Sequence, residues 1–201
     1  MEKKPLAIAI LISGRGSNME AILEAIARNR LKNVQVKLAV SDIPDAKGLA
    51  VASRYGVPTL FHDCAPFKTK LEGIAEDRLI AILREKNIDL ICLAGFLRMI
   101  KPKLIGAFRK RIINIHPSLL PKFPGLHAQK QAIDAKASVS GCTVHFVDEG
   151  MDTGPILRQR KVRVKKNDTE GTLSERILKE EHHVYWRVIS DIAKGKIAIG
   201  Q

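Results

Sequence analysis

The chain has 201 residues, 45% of them hydrophobic, and a formal charge of +13 from 34 Lys and Arg against 21 Asp and Glu. That length holds one sizeable core and is short for two, so a single domain is expected. Every apolar run is broken by Lys, Arg, Asp or Glu before it reaches the roughly 18 residues of a spanning helix, and the stretch behind Met1-Glu2-Lys3-Lys4-Pro5 ends at Ser13-Gly14-Arg15 without a cleavage site of small residues, so neither membrane insertion nor export is expected.

The apolar run over residues 6–12 is followed by Ser13-Gly14-Arg15-Gly16-Ser17-Asn18 and then by Met19, Ile22, Leu23 and Ile26 at helical spacing. This reads as strand, tight loop and helix. Residues 34–40 form a second strand closed by Ser41-Asp42-Ile43-Pro44-Asp45, residues 46–54 suit a helix, and a brief third strand is expected at 59–61. Leu71, Ile74, Leu79, Ile82 and Leu83 mark a helix over 69–85, which leads into the unbroken apolar strand 88–94. Continuous apolar strands alternating with amphipathic helices indicate a parallel sheet covered on both faces. The fold class is therefore α/β, with a Rossmann-like N-terminal half.

The second half begins with a short helix near 103–108 and a strand over 111–115, followed by a proline-rich loop from Pro117 to Gly125 and a helix over 126–136. Two more strands, 139–147 and 155–164, are spaced for a hairpin, giving about seven strands in all, mostly parallel with one antiparallel. The last helix covers 169–193. Cys64, Cys92 and Cys142 are odd in number and lack metal-ligand spacing, and Cys92 and Cys142 lie in apolar runs where a thiol acts as a small hydrophobe. A reduced, cytoplasmic protein is the economical expectation.

Open parallel sheets bind ligands beyond the carboxyl ends of their strands, and both glycine-rich segments and Asn114 with His116 fall at strand ends. Ser13 to Asn18 lacks the third glycine of the dinucleotide fingerprint, and no acid ends the second strand at the required distance. What remains is a small-residue turn into a helix N-terminus, which can hold one phosphate with Ser17 and Asn18 as extra donors. A plain capping Ser or Asn accounts for the same residues equally well.

Alternation on the strand ending at His116 sends Ile113 and Ile115 to one face and Asn114 and His116 to the other, and the rigid proline loop behind them suits the wall of a site. Asp152 stands in a turn opened by Asp148 and Glu149, where Gly150 and Gly154 let the backbone approach a ligand. Glu181 interrupts the apolar stripe Leu173, Ile177, Val184 and Val188; a carboxylate there needs a structural cation or a substrate amine. His145 fits the inward pattern imperfectly and reads as supporting or merely packed, while His127, His182 and His183 carry no such signal. An amide, an imidazole and a carboxylate gathered this way are the parts of an acyl-transfer site.

Four stretches together resemble the folate-dependent formyltransferases over nearly the whole chain: Ile12 to Asn18, Leu93-Ala94-Gly95-Phe96-Leu97-Arg98-Met99-Ile100, Asn114-Ile115-His116-Pro117-Ser118-Leu119-Leu120-Pro121 with its continuation to His127, and Gly141 through Pro155. The Asn114 segment is shared with methionyl-tRNA formyltransferase and formyltetrahydrofolate deformylase. The Ser-Gly-Arg-Gly-Ser-Asn loop, the Lys-Phe-Pro-Gly-Leu-His continuation and a length without the added domains of those two relatives look most like the phosphoribosylglycinamide formyltransferases.

The resemblance implies one formyltransferase domain over 1–201, its phosphate- and nucleotide-binding half over 1–100 and its catalytic and folate-binding half over 101–201. It implies Asn114, His116 and Asp152 as catalytic residues, Gly16, Ser17 and Asn18 on a ribose phosphate with Arg15 beside them, and Glu181 near the glycinamide amine. Leu97, Arg98, Met99, Ile100 and Asn114, with Asp148 and Gly150 of the following loop, would line the pterin pocket of the cosubstrate 10-formyltetrahydrofolate, without a metal. The Arg with which this family often touches the folate, ahead of the third helix, is matched most nearly by Lys70, which lacks a guanidinium fork. Expected partners are the small molecules glycinamide ribonucleotide and formyl folate, bound by a monomer or homodimer. A basic nucleic-acid-binding module rests on the charge alone; the aromatic residues are not interleaved with the basic clusters at 101–111 and 158–166.

Overall fold

Strand β1 (Leu6–Ile12) is apolar at every position and buried from Ala7 onward, as the centre of a sheet covered on both faces requires. The computed structural model describes residues 4–200. After β1 come α1 (Ser17–Ala27), β2 (Val34–Ser41), α2 (Lys47–Arg54), β3 (Thr59–Phe61), β4 (Lys70–Leu71), α3 (Ile74–Glu85) and β5 (Leu90–Leu93). The chain continues through β6 (Met99–Ile100), α4 (Pro102–Ala107), β7 (Ile112–His116), α5 (Ala128–Asp134), β8 (Val139–Phe146), β9 (Ile156–Arg163) and α6 (Glu170–Ala193).

Seven strands form one sheet in the order β3-β2-β1-β5-β7-β8-β9. The first five are mutually parallel; β8 pairs antiparallel with both β7 and β9 and is the single reversed strand, as expected. Alternation along β1 divides the core, with Ile8, Ile10 and Ile12 joining residues of α1, α2 and α6 on one face. Ala9 and Leu11 join residues of α3 and α4 on the other. The hydroxyl of fully buried Tyr185 lies 2.8 Å from the Leu93 carbonyl and 3.2 Å from that of Ile113, pinning α6 to the sheet between β5 and β7. No described helix is long and apolar enough to cross a membrane.

The helix expected over 69–85 begins only at Ile74. Gly73, at φ 69° and ψ −137°, holds a backbone conformation reserved for glycine, and the residues before it are extended. Lys70 and Leu71 pair in parallel with Met99 and Ile100 as a separate two-stranded ribbon. The helix expected over 126–136 is likewise trimmed, because His127 adopts a left-handed φ of 57° at its start.

Helix α6 opens with a capping box: Thr169 Oγ1 accepts the Thr172 N–H at 3.2 Å, and Thr172 Oγ1 accepts the Thr169 N–H at 3.0 Å. Asp168, just ahead, accepts the Lys165 N–H at 2.7 Å and grips the Arg176 guanidinium with both oxygens. That guanidinium, with the Lys165 N–H, holds the Asp168 carboxyl well below its usual value of 3.8. A depressed carboxylate stabilises the fold above its unfolded pKa, and the stabilisation is lost as pH falls toward the folded value. Asp168→Asn is therefore expected to melt below the wild type at neutral pH, with the two melting temperatures converging as pH drops well under 4; thermal denaturation across pH checks this. A gap that persists undiminished in acid would contradict the ion pair as its cause.

Candidate active site

Gly16 stands at the N-cap of α1 with φ 73°, and no side chain caps the helix. Neither Ser17 nor Asn18 is spent on capping, so the first-turn N–H groups remain available to an anion. A Cβ on Gly16 would come within 3.0 Å of Gly48 Cα, and the Gly48 N–H donates to the Gly14 carbonyl at 3.0 Å, so the start of α2 packs directly under the loop. Arg15 is exposed beside it, and Ser17 is half-buried.

Asn18 turns inward from the same helix. Its amide donates to Glu181 Oε2 at 2.7 Å, joining α1 to α6, while Asn18 Oδ1 is buried without a partner among the described residues. Glu181 is 7% exposed, and burial pushes its carboxyl above the usual value of 4.5, with the Asn18 amide opposing. No described cation pairs with it, so the structural partner considered from the stripe pattern is an amide rather than a Lys or Arg. An unpartnered acceptor beside a buried carboxylate suits a ligand rich in donors, such as an amine or a diol.

The second cluster forms where β7 meets β8. Asn114 and His116 share a face, as alternation predicts, and the register sets them opposite His145 and Thr143. Asp152 arrives from the loop after β8. Val147 is bonded level with Ile112, the first residue of β7, yet Asp152 Oδ2 lies 3.3 Å from Nδ1 of His116, the last. The loop therefore leaves at the far rim of β7 and folds back along the face, through a left-handed φ of 56° at Asp152.

Both ring nitrogens of His116 face acceptors. The Phe123 carbonyl, 2.9 Å from Nε2, can only accept, so that nitrogen carries a proton; a second proton on Nδ1 would complete an ion pair with Asp152. Asp152 Oδ2 also accepts the Gly125 N–H at 2.8 Å, leaving Oδ1 without a hydrogen bond among the described residues and 3.6 Å from His145 Nε2.

His145, an ambiguous residue in the sequence, belongs to this cluster. Its Nδ1 donates to the Phe146 carbonyl at 2.8 Å, and burial lowers its pKa, so the ring is neutral and Nε2 accepts the Asn114 amide N–H at 3.3 Å. This orients the amide with its second N–H unspent. The signal that could have found His145 is its two-residue spacing from Thr143, which matches Asn114 and His116 once the strands are paired. Thr143 Oγ1 bonds the Ser118 carbonyl at 2.6 Å and the Leu120 N–H at 3.1 Å, and Gln159 holds the Leu120 carbonyl at 2.8 Å, which keeps the proline loop against the sheet.

The segment 97–100 presents Leu97 and Met99, 70% and 51% exposed, while Ile100 is buried. Arg98 points away from them, its guanidinium held by Asp42 and the Phe67 carbonyl. Lys70 pairs with Glu72 and sits 4.4 Å over the Phe67 ring. Asp148 is occupied within its own loop, accepting from Gly150 N–H at 3.2 Å and Thr153 Oγ1 at 2.8 Å; a Cβ on Gly150 would meet Thr153 Oγ1 at 2.0 Å. The cleft between α3 and α4 lined by Asp77, Ile80, Arg84 and Lys103 includes none of these residues.

Residues 6–189 match the family described as formyl transferase. The chain belongs to the formyl transferase family. Its relatives include the phosphoribosylglycinamide formyltransferase of Bacillus subtilis, 41% identical over 92% of this chain and 93% of that protein. The trifunctional purine biosynthetic protein adenosine-3 of Drosophila melanogaster is 42% identical over 96% of this chain, which spans 14% of that much longer protein. Among solved structures, glycinamide ribonucleotide transformylase 1 from Symbiobacterium toebii superposes with a TM-score of 0.92 at 42% identity, over 99% of this chain and 92% of that one.

In this formyl transferase the buried Glu181 carboxylate offers separate tests of ligand binding and of stability. A group whose folded pKa is raised loses stabilising free energy as pH rises above its unfolded value, here the usual 4.5. Glu181→Gln keeps an acceptor for Asn18 and removes the buried charge. It is expected to melt with the wild type near pH 4 and above it at neutral pH, and to bind an amine-bearing ligand at least about tenfold more weakly than the wild type. Calorimetry with and without that ligand checks both; a variant that melts lower at neutral pH would make Glu181 a structural partner only.

Proposed function

We propose that the protein transfers the formyl group of 10-formyltetrahydrofolate to the amine of glycinamide ribonucleotide, giving formylglycinamide ribonucleotide and tetrahydrofolate in purine biosynthesis. The observation that carries this reading is the meeting of Asn114, His116 and Asp152 over one sheet face in a chain 41% identical to a phosphoribosylglycinamide formyltransferase. The ribose phosphate sits on the N–H groups of Gly16, Ser17 and Asn18 with Arg15 beside it. Glu181 and Asn18 take donors of the same substrate. Leu97, Met99 and the exposed loop around Gly150 flank the pterin.

In the transfer, the neutral amine attacks the formyl carbon, forming a C–N bond and placing negative charge on the formyl oxygen. The unspent Asn114 N–H donates to that oxygen; one such preorganised donor contributes about 3 kcal/mol to lowering the barrier. Asp152 Oδ1, the free oxygen, accepts the amine proton directly or through one water, while His116 holds Oδ2 and stabilises the charge. The bond from the formyl carbon to the folate nitrogen then breaks, and that nitrogen takes the proton. His145 keeps the Asn114 amide aimed.

Purified protein given both substrates is expected to release tetrahydrofolate only when the ribonucleotide is present; release without it would mark a deformylase instead. His116→Ala and Asp152→Asn are each expected to lower turnover at least about a hundredfold, the scale of a lost transition-state contact, and near-normal turnover in either removes its assigned role. Ser17→Ala and Asn18→Ala are expected chiefly to raise KM for the ribonucleotide, as loss of uniform binding does. Unchanged KM in both would remove the side chains of Ser17 and Asn18 from ribonucleotide binding and leave only their backbone N–H groups in that role.

A further inference from the structure

A buried polar chain that the chemistry above does not use runs between the phosphate loop and the segment that presents Leu97 and Met99. Ser13, the first residue after β1, donates from Oγ to Asp42 Oδ1 at 2.5 Å and accepts the Leu97 N–H at 2.9 Å. Its own N–H donates to the Gly95 carbonyl at 2.9 Å. Asp42, the first residue after β2, takes Arg98 Nε on its other oxygen at 2.6 Å, and the same guanidinium reaches on to the Phe67 carbonyl. The Asp42 and Arg98 side chains are only 5% and 11% exposed. Three segments at neighbouring strand ends are thus tied by one serine, one carboxylate and one planar fork.

A buried pair of this kind contributes little to stability against well-packed apolar residues of equal volume, but it fixes geometry, since a guanidinium satisfies two acceptors only in one orientation. Arg98 has its donors turned into this tie rather than toward the Leu97 and Met99 surface. The Leu97 N–H is fixed by the very residue that starts the phosphate loop. We propose that Ser13, Asp42 and Arg98 are positioning residues that set the phosphate loop and the 95–100 segment as one body, so that the ribonucleotide and folate sites are in register together. The proposal rests on the function proposed above for those two loops. None of the three residues touches the reacting atoms.

Steady-state kinetics of the whole protein, with each substrate varied in turn, tests this in wild type, Asp42→Asn, Arg98→Lys and Ser13→Ala. Asp42→Asn keeps the volume and an acceptor for Ser13 but loses the charge that holds Arg98, whereas Arg98→Lys keeps a charge and loses the fork. The expected result is a joint rise of both KM values by about fivefold or more, the scale of ordinary coupling between sites, with kcat held within about twofold. A merely structural role would lower the active fraction, and so kcat, with both KM values unchanged; that outcome, or a rise in one KM alone, overturns the proposal. If Asp42→Asn or Arg98→Lys fails to fold, Ser13→Ala, which deletes a single hydroxyl, decides by the same criterion. Wild-type protein without formyl transfer would refute the functional reading and this proposal with it, whereas active wild type with unaltered variants refutes the proposal alone.

Discussion

The carboxylate of Asp152 is where three separate parts of the chain are joined. Its Oδ2 receives the Gly125 N–H from the proline loop and faces His116 at the end of β7, while its Oδ1 lies toward His145 on β8. At 14% exposure this group has little water to replace those partners. Remove the carboxylate, and a half-buried N–H and an imidazole lose their acceptor together, which is the expensive way to break a polar network. The reversal of β8 makes the junction possible, because it brings the following loop in beside β7 and leaves it free to fold back over the polar face.

The site departs from relaxed backbone and full hydrogen bonding in several places at once. Phe123, His127 and Asp152 hold φ values of 57°, 57° and 56°, which side-chain-bearing residues seldom adopt. Across the sheet, Asn18 Oδ1 is buried without a partner among the described residues and Glu181 is a carboxylate kept largely from water. Such concessions cluster where a surrounding structure holds groups ready for a ligand rather than for each other. The two halves meet on one continuous sheet, with Leu93 of β5 paired to Leu11 on one side and Asn114 on the other. The loop from Ser13 to Asn18 and the cluster of Asn114, His116 and Asp152 thus share a rigid floor.

Much of this was legible in the sequence, for local reasons. Buried parallel strands betray themselves by unbroken apolar runs, and β1 and β5 did so; the Glu181 interruption of an apolar stripe pointed into the core. Alternation alone placed Asn114 and His116 on a common face. What stayed hidden depends on the partner strand or on chain reversal. His145 acquires meaning only after the β7 and β8 register is known. The return of Asp152 along β7 cannot be read from the turn residues around it, and Gly73 delays to Ile74 the start of a helix whose apolar spacing ran through it. Asp42 looked like part of a turn because its partner, Arg98, is 56 positions away, while Arg98 and Lys70 carried charges whose targets, Asp42 and Glu72, only the folded chain defines.

A crystal structure of the protein with glycinamide ribonucleotide and a folate analogue that cannot transfer its one-carbon group tests the central claim most directly. The phosphate is expected on the N–H groups at the start of α1, and the group that stands in for the formyl oxygen about 3 Å from Asn114 Nδ2, with the amine on the Asp152 side. Ligands bound with that oxygen turned from Asn114, and with Asp152 Oδ1 out of reach of the amine even through a water, would contradict it.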